Sequence, residues 1–253
     1  MKAQFCEVHH GDCLEAMREM KSSSVDIVFT SPPYNLRRLN NKRKSGPNHS
    51  GMQPGSKLKN GYSSHGDDYA YDEYARWQRS VLLECWRLLR DDGMIFYNHK
   101  PRVQLGLLQT PLDLNPGLPL RQIIIWNRSG GINFSPSFYV PCHEWICVFA
   151  KPEARLLNRS VSQIGDVWTL GPERYNPHPA PFPVELPLKA LQTVSGDVVL
   201  DPFMGSGTTG VACLMTGKRF IGIDNSKEYC EMAKKRLYLA EQGDYESWNM
   251  AGA

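Results

Sequence analysis

The sequence lacks the features that would place it in several specialised classes of protein. Its seven cysteines are odd in number and scattered, without a C-x-x-C pair, which argues against a disulfide framework and against a zinc site. No apolar run approaches the roughly 20 residues that a membrane-spanning helix requires, and residues 1–5 contain no apolar signal core. We therefore expect an intracellular, cytoplasmic protein with free thiols, no metal site and no membrane segment.

A large excess of charge of one sign is missing from the chain as a whole but not from one segment. The net charge is only +3 in 253 residues, and 41% apolar with 22% charged residues is ordinary for a globular protein. Residues 35–68, however, are rich in Asn, Gly and Ser and have almost no apolar periodicity. We predict a flexible basic loop that contacts phosphates; the alternative is a solvated surface insertion. The candidate phosphate contacts are Arg37, Arg38, Lys42, Arg43 and Lys44.

The stretch that organises our interpretation is a proline-containing loop after an apolar run. Residues 25–29 have the pattern of a buried strand, and two consecutive prolines then force the chain out of the sheet. Loops at the ends of buried strands are where α/β proteins place their chemistry. This loop offers a hydroxyl, free carbonyls and an aromatic face, which suit a flat ring bearing an amine. The residues concerned are Ser31, Pro32, Pro33 and Tyr34. The alternative is a Pro-Pro turn with a packed tyrosine.

The N-terminal part of the chain has the pattern of a βαβ unit. A strand at residues 7–10 ends at Gly11, and Asp12 opens a helix with Glu15 at the spacing of a capping box. The strand at residues 25–29 follows after a serine turn. Asp12 can serve either as the helix N-cap or as an acceptor for the amine or hydroxyl of a ligand.

The middle of the chain alternates helical and strand patterns with polar or proline-rich connections. Residues 71–89 carry apolar side chains at helical spacing, and residues 91–93 are expected to stop that helix. Strands at 121–126 and 144–150 bracket a Gly/Pro/Phe-rich excursion at 128–141, which is a candidate target-recognition segment. Other predicted elements are a strand at 94–97, a short helix at 103–108, a linker at 111–119, a short strand at 166–170 and a helix near 184–193.

The C-terminal part contains a glycine-rich loop between two strands. A strand at residues 198–200 leads into D-P-F-M-G-S-G-T at 201–208, a helix follows, and Asp224 ends the next strand. Glycines let the backbone approach a ligand, and the helix N-terminus offers unpaired N–H donors for an anion. The acid, roughly 20 residues further on, is placed to accept hydrogen bonds from ribose hydroxyls. Because Gly210 completes a G-x-G-x-x-G spacing, the loop alone does not exclude a nicotinamide cofactor.

Together these motifs resemble those of the DNA amino-methyltransferases that use S-adenosylmethionine, and the resemblance covers nearly the whole chain. The T-S-P-P-Y loop at residues 30–34 resembles their catalytic (S/D/N)-P-P-(Y/F) motif, and the loop at residues 201–208 resembles their cofactor motif. The catalytic motif comes first, which is the permuted order of the β group. The resemblance implies a single methyltransferase domain over residues 1–253. Its implied fold is α/β, a Rossmann-like, doubly wound mixed sheet that is circularly permuted.

The resemblance also implies which residues form the site. The strand and acid at residues 220–224 would hold the ribose of S-adenosylmethionine, and Asp12 would lie near its adenine. The proline-rich segment at residues 178–183 would lie beside its methionine end. The implied cofactor-binding residues are Asp12, Thr30, His178, Pro179, Phe182, Pro183, Asp201, Phe203, Gly205, Ser206, Gly207, Thr208 and Asp224, and the catalytic ones are Ser31, Pro32, Pro33 and Tyr34.

For the reaction, we expect Ser31 Oγ and the Pro32 carbonyl to accept hydrogen bonds from an exocyclic amine while Tyr34 stacks on the base. In the resembling family, serine at the first motif position points to cytosine N4 and aspartate to adenine N6. A serine can also donate to the ring nitrogen beside the cytosine amine. The target base in DNA must be flipped out or single-stranded, and a homodimer is one assembly to consider. The alternatives are an adenine-N6 methyltransferase, a methyltransferase of RNA or of a small molecule, and a catalytically silent nucleic-acid-binding protein.

Overall fold

The structure, a computed structural model, describes most of the chain. The described residues are 5–35, 69–104, 107–131, 137–173, 176, 178 and 180–244. Several predictions fall on the other residues and lie outside this description. They concern the basic loop with Arg37, Arg38, Lys42, Arg43 and Lys44, residues 132–136 of the predicted excursion, and Pro179.

Strands and helices alternate at both ends of the described chain, while several strands follow one another in its middle. The strands are β1 (Cys6–His10), β2 (Val25–Thr30), β3 (Leu89–His99), β4 (Arg102–Gln104), β5 (Leu107–Gln109), β6 (Leu120–Asn127), β7 (His143–Ala150), β8 (Val167–Thr169), β9 (Val198–Asp201) and β10 (Arg219–Asp224). The helices are α1 (Cys13–Glu19), α2 (Tyr71–Leu88), α3 (Arg159–Ser162), α4 (Glu185–Leu191), α5 (Thr208–Met215) and α6 (Lys227–Glu241), with a 3-10 helix at Pro111–Leu114.

Eight of the strands form one mixed sheet, which confirms the predicted fold class. Their order is β1-β10-β9-β2-β3-β7-β6-β8, while β4 pairs with β5 in a separate hairpin. The strands from β1 to β3 in this order run parallel, whereas β7 is antiparallel to both of its neighbours, β3 and β6. Near the middle of the sheet, β2 pairs with β9, so that strands from the two ends of the chain lie side by side.

Helices cover both faces of this sheet, as a doubly wound fold requires. One apolar cluster joins the sheet to α4, α5 and α6, and a second joins it to α1 and α2. Strand β2 contributes to both clusters, because Ile27 and Phe29 belong to the first and Val25 and Val28 to the second. All six residues of β2 are buried. A strand covered on both faces needs a nearly continuous apolar run, which explains the pattern at residues 25–29.

The helix starts follow the capping residues in the sequence. Asp12 is the N-cap of α1, and its Oδ1 accepts hydrogen bonds from the amides of Leu14 at 2.9 Å and Glu15 at 3.0 Å. Ser226 caps α6 in the same way, with its Oγ 3.3 Å from the amide of Tyr229. The N-cap interpretation of Asp12 is therefore confirmed.

Some predictions for the middle of the chain are wrong. Of residues 103–108, predicted as a short helix, those that the structure describes belong to strands β4 and β5, in which Arg102 pairs with Gln109. Leu107 and Leu108 are exposed, so they are not apolar because of packing in a helix. A short apolar run alone does not distinguish a helix from a strand. The linker predicted at 111–119 begins with the 3-10 helix at Pro111–Leu114.

Residues 91–93 do not stop a helix, because α2 already ends at Leu88 and these residues lie within β3. A Cβ atom on Gly93 would lie 2.7 Å from the backbone oxygen of Asp26. Glycine therefore permits a close approach of β3 to β2 at the point where their pairing register shifts.

Three further observations bear on the class of protein. All seven cysteines are free, and six of them are buried. Among the described His, Cys, Asp and Glu side chains, none are grouped so that they could hold a metal ion. No helix in the described part of the chain is long and apolar enough to span a membrane.

Candidate active site

The loops that follow β2 and β9 flank one cleft of about 370 Å³. These strands are parallel neighbours, so their carboxyl ends meet at the same edge of the sheet. A buried hydrogen bond joins them there, from Thr30 Oγ1 to Asp201 Oδ1 at 2.8 Å. The prediction that the proline loop and the glycine loop face one cleft is confirmed.

The backbone of the proline loop is held by side chains from elsewhere in the chain. Tyr74 of α2 donates its hydroxyl to the Pro33 carbonyl at 2.9 Å. Arg102 Nη1 donates to the carbonyls of Tyr34 and Asn35, at 2.7 and 2.5 Å. Asn35 has a φ of +54°, a conformation that an asparagine tolerates better than most residues. Because these contacts fix the carbonyls, the loop has one defined shape.

A polar network lies at the inner end of this loop. The hydroxyls of Ser31 and Tyr34 are 2.8 Å apart, and Tyr34 donates its own proton to Glu144 Oε2 at 2.8 Å. Asn98 Nδ2 lies 3.3 Å from Ser31 Oγ and 2.9 Å from both Tyr34 Oη and Glu144 Oε2. Ser31, Tyr34, Asn98 and Glu144 all line the cleft. The network therefore brings a carboxylate and an amide, neither of them predicted, to the predicted catalytic serine.

Glu144 is a buried acid with a cationic partner. It begins the apolar part of β7 and is 6% exposed. Its Oε1 lies 3.4 Å from Arg128 Nη1, and Arg128 also donates to the Pro141 carbonyl at 3.0 Å. Removing an ion from water is costly unless the charge is paired and hydrogen-bonded. Arg128, Asn98 and Tyr34 meet that requirement together.

His99 packs behind Tyr34 and is neutral. Their ring centroids are 4.5 Å apart, and His99 Nε2 lies 2.8 Å from the hydroxyl of Tyr74. Burial lowers the pKa of His99 to about 3. At neutral pH this side chain therefore carries no charge and acts as a flat support for the Tyr34 ring.

The glycine loop is shaped mainly by its own backbone. Gly205 and Gly207 have φ values of +51° and +78°, in the left-handed region that favours glycine. The amide of Met204 donates to the carbonyl of Ile223 at 3.0 Å, and the amide of Gly207 donates to that of Met204 at 2.8 Å. The loop thus turns directly into α5 and exposes its backbone to the cleft.

Asp224 lies at the end of β10 and lines the cleft. Its two carboxylate oxygens accept from the amides of Gly205 at 3.0 Å and Ser226 at 2.8 Å. Burial raises the pKa of this carboxyl, and the two amide hydrogen bonds act in the opposite direction. Each oxygen keeps acceptor capacity for a further donor, so Asp224 can hold a diol such as that of a ribose.

Asp201 differs from its predicted role as a direct contact. It is fully buried and is not among the residues that line the cleft. Its carboxylate accepts from Thr30 Oγ1, from Thr209 Oγ1 at 2.7 Å and from the Phe203 amide at 3.1 Å. Burial raises its pKa to about 6. Asp201 therefore links the two loops from behind.

A buried cation supports the glycine loop from α6. Arg236 is 5% exposed, and its Nη1 donates to Thr208 Oγ1 at 2.8 Å and lies 3.3 Å from Ser206 Oγ. Asn176 donates to the same serine at 3.0 Å. Burial lowers the pKa of Arg236 to about 10, which leaves it charged at neutral pH. This role of Arg236 was not predicted, because the helical pattern of residues 227–241 does not distinguish it from the other charged residues there.

The described structure brings most of the predicted site residues to the cleft. Those that line it are Asp12, Ser31, Pro33, Tyr34, His178, Phe182, Phe203, Gly205, Ser206, Thr208 and Asp224. Others lie behind this lining and are buried, namely Thr30, Pro32, Pro183, Asp201 and Gly207. The missed lining residues include Asn98, Arg128, Glu144 and Tyr229. The available signal was a polar residue next to an apolar run, which fits Asn98 after residues 94–97 and Glu144 before residues 145–150.

The cleft has the donors, acceptors and walls that a nucleoside bearing an amino acid would need. Its volume falls within the range of small-molecule sites. A Cβ atom on Gly205 would lie 2.9 Å from His178 Nε2, so the glycine makes room between the loop and this ring. His178 in turn packs edge-on against Tyr229, with ring centroids 4.7 Å apart. S-adenosylmethionine therefore fits the residues present.

Comparison with protein-family models gives a match over residues 25–235 to the N6/N4 methyltransferase family, described as DNA methylase. Among curated proteins, the type II methyltransferase M.HpaI of Haemophilus parainfluenzae is 28% identical over 250 residues. The alignment covers 89% of this chain and 72% of that enzyme. The family match includes both loops of the cleft.

Solved structures share the fold. TTHA0409 of Thermus thermophilus, crystallised with S-adenosyl-L-methionine, matches with a TM-score of 0.65 and 24% identity, over 94% of this chain and 96% of that one. The PvuII DNA methyltransferase, which is cytosine-N4-specific, matches with a TM-score of 0.69 and 18% identity, over 98% of this chain and 94% of that one.

Proposed function

The chain belongs to the N6/N4 DNA methylase family and is an S-adenosylmethionine-dependent DNA methyltransferase, and from this premise we propose that its target is the N4 amine of cytosine. The observation that carries the proposal is the Ser31 hydroxyl, which lines the cleft at the first position of the catalytic motif. A cytosine-N4-specific enzyme among the structures that share the fold is consistent with this choice. The alternative target is adenine N6.

The hydrogen bonds of the site bear on one reason for preferring cytosine. Tyr34 donates its single hydroxyl proton to Glu144, so in the contact between Tyr34 and Ser31 it is Ser31 that donates. In this arrangement Ser31 offers an acceptor to the cleft, so we propose that a different group donates to the ring nitrogen of cytosine. Arg128 lines the same cleft and has the N–H donors that a ring nitrogen requires.

Bound S-adenosylmethionine supplies a methyl group that is already activated on a sulfonium sulfur, so the protein mainly binds and orients. The Asp224 carboxylate would accept from the ribose hydroxyls of this group. The backbone of Gly205 and the aromatic wall of His178 and Phe203 would enclose it. All of these residues line the cleft.

The proline loop orients the amine. The lone pair of an exocyclic amine is delocalised into its ring, and acceptors aimed at its N–H groups localise that pair on nitrogen. Ser31 Oγ and the Pro32 carbonyl are the proposed acceptors; Pro32 itself is buried, and its neighbours Ser31 and Pro33 line the cleft. The Pro33 carbonyl is already bonded to Tyr74, whereas within the described residues no donor bonds to that of Pro32. Tyr34 is proposed to stack on the base, with its ring backed by His99.

The DNA side of the proposal follows from the position of the proline loop within the cleft. A base within a duplex cannot reach that loop, so the target base is flipped out or single-stranded. The excursion at 128–141 and the proposed phosphate contacts would position the DNA around the cleft. Those contacts are Arg37, Arg38, Lys42, Arg43 and Lys44. We further propose that a single domain, residues 1–253, acts as a monomer or homodimer. M.HpaI is a type II methyltransferase, and protection of a site in restriction-modification is the corresponding role for this chain.

The test is transfer of labelled methyl from S-adenosylmethionine to unmethylated duplex DNA, followed by nucleoside analysis. We expect N4-methylcytosine. N6-methyladenine alone would contradict the target base while leaving the reaction class intact. Structured RNA of matched composition serves as the competing substrate, and preferential methylation of that RNA would contradict the proposed DNA target.

A further inference from the structure

The cleft contains a continuous path of hydrogen bonds from the catalytic serine to a carboxylate. Ser31 Oγ and Tyr34 Oη are 2.8 Å apart, and Tyr34 Oη and Glu144 Oε2 are 2.8 Å apart. Both are short enough for proton transfer between oxygens. The three residues come from two separate parts of the chain, the proline loop and β7. Their alignment is therefore produced by the fold rather than by one local motif.

Each hydroxyl in this path donates its proton towards Glu144. Tyr34 donates to Glu144, so Tyr34 Oη is left as the acceptor of the Ser31 proton. Asn98 Nδ2 lies 2.9–3.3 Å from all three oxygens and has two N–H groups to donate to them. If the Asn98 amide were reversed, its oxygen would face the Glu144 carboxylate, an acceptor opposite an acceptor. The amide thus fixes the orientation of the path, and the remaining lone pair of Ser31 is available to the cleft.

We infer that Glu144 is the terminal proton acceptor of methyl transfer, reached from the target amine through the hydroxyls of Ser31 and Tyr34. The inference rests on the proposed function, because it requires an amine as the methyl acceptor. It applies equally to cytosine N4 and adenine N6.

The step balances without any further reactant. The nitrogen lone pair forms the new bond to the methyl carbon, and the carbon–sulfur electron pair leaves with sulfur. One N–H bond of the methylated nitrogen then breaks, its electron pair returning to nitrogen. Its proton passes to Ser31 Oγ as the Ser31 proton passes to Tyr34 and the Tyr34 proton to Glu144. The carboxylate ends as a neutral acid, which later releases the proton to solvent.

A carboxylate is sufficient for this task because the methylated nitrogen is a strong acid. Methyl transfer gives the exocyclic nitrogen a fourth bond and interrupts its conjugation with the ring, so a proton leaves readily to any acceptor within reach. Position therefore matters more than basicity. Arg128, 3.4 Å from Glu144 Oε1, compensates the buried charge before the proton arrives.

The experiment compares methyl transfer by the full chain and by Glu144→Gln on the DNA substrate that the wild type methylates. Glutamine keeps the size and one acceptor oxygen but cannot take the proton. We expect kcat to fall about 100-fold or more, with the KM values for DNA and S-adenosylmethionine changed by about twofold or less. Glu144→Asp keeps a carboxylate, so its kcat should be at least about tenfold higher than that of Glu144→Gln.

Tyr34→Phe provides a second interruption of the path. It keeps the ring that packs on His99 and removes only the bridging hydroxyl, so kcat should fall at least about tenfold. This variant keeps the inference testable if Glu144→Gln does not fold. Thermal stabilisation by S-adenosylhomocysteine shows which variants are folded.

Asp26→Asn is the matched control. Asp26 is also 6% exposed, pairs with Arg90 at 2.8 Å, and lies on β2 at the end away from the cleft. We expect it to lower stability and leave kcat unchanged.

Provided that the wild type transfers methyl groups to DNA, three results would overturn the inference. They are an unchanged kcat in Glu144→Gln or Tyr34→Phe, equal losses in Glu144→Gln and Glu144→Asp, and an equal loss in Asp26→Asn. Absence of transfer by the wild type to any nucleic acid would instead overturn the proposed function, and the inference with it.

Discussion

The two loops of the cleft are built by different means. The backbone of the glycine loop, residues 202–207, is held mainly by backbone hydrogen bonds and by the acid that ends the next strand, while Arg236 and Asn176 contact its Ser206 side chain. The proline loop, residues 31–35, is held by side chains of Tyr74, Arg102 and Asn98, which are 41 to 68 residues away along the chain. A loop fixed by its own backbone keeps its shape when distant side chains change. The shape of a loop that distant side chains hold depends on the strands and helices that carry those side chains.

The difference suits the two tasks. A bound cofactor offers the same groups in every turnover, and a backbone cradle fits those fixed groups. The amine must instead be oriented against a proton path that ends on another strand, which requires side chains from several elements. We therefore expect cofactor binding and catalysis to be separable by substitution.

The largest effect is expected from Tyr34→Ala, which tests that separation directly. The change removes the proposed stacking face and the hydroxyl that bonds to Ser31 and Glu144. Methyl transfer should fall about 100-fold or more, while the affinity for S-adenosylhomocysteine, measured by calorimetry, should change about twofold or less. A parallel loss of cofactor affinity would show that the two loops are not independent.

Asp224→Ala examines the other loop. It removes acceptors for the Gly205 and Ser226 amides as well as the proposed ribose contacts. Binding of S-adenosylhomocysteine should weaken by roughly 1–3 kcal/mol. Asp113→Ala is a matched control, since Asp113 accepts from the Thr110 amide at 2.8 Å in a 3-10 helix whose residues do not line the cleft. Unchanged affinity in Asp224→Ala would mean that the ribose is placed wrongly.

Gly205→Ala asks whether the backbone of the glycine loop is as important as its acid. The alanine would have to keep a φ of +51°, and its Cβ would lie 2.9 Å from His178 Nε2. Cofactor affinity should fall about tenfold, from backbone strain of about 1 kcal/mol and displacement of His178. Gly217→Ala has a φ of +67° but nothing within 4 Å, so it shares the strain and should leave the affinity unchanged. Equal affinities in the two variants would contradict the proposed cradle.

The smallest effect concerns Asp201, which joins the two loops. Burial raises its pKa to about 6 from the ordinary 3.8, so the folded state binds the proton more tightly than the unfolded state. Its contribution to stability is therefore greatest below about pH 4 and declines as the pH rises through 6. When the pH rises from 5 to 7, the free energy of unfolding of Asp201→Asn should increase by about 1 kcal/mol relative to that of the wild type. Denaturant unfolding measures this difference. The opposite slope would contradict the raised pKa.

The same contrast explains how much of the site was predictable from the sequence. The glycine loop is local, so a strand, two glycines and an acid about 20 residues later were enough to place Gly205, Ser206 and Asp224 at the cleft. The alternation of strands and helices similarly predicted the fold class. Asp12 was one of the candidates for a cap because a cap acts on amides two or three residues away, as the structure shows.

What could not be predicted depends on pairing between distant strands. Glu144 reaches Tyr34 only because β7 runs antiparallel beside β3, and no local pattern specifies that neighbour. Asn98 reaches the same oxygens from β3. Likewise, the leucines of residues 103–108 suggested a helix, whereas the hairpin is defined by pairing between Arg102 and Gln109.

The strand order has a consequence for how the chain acquires its shape during synthesis. In the described sheet, β1 pairs with β10 alone, and β2 has β9 as one of its two neighbours. Both partners lie at residues 198–224, far from β1 and β2 along the chain, so the edges that they cover stay open until those residues have been synthesised. Such long-range parallel pairing is slow to form. The cleft and the Thr30–Asp201 hydrogen bond between its loops therefore depend on this slow pairing, whereas the contacts of Ser31 and Tyr34 with Glu144 depend on the pairing of β2, β3 and β7.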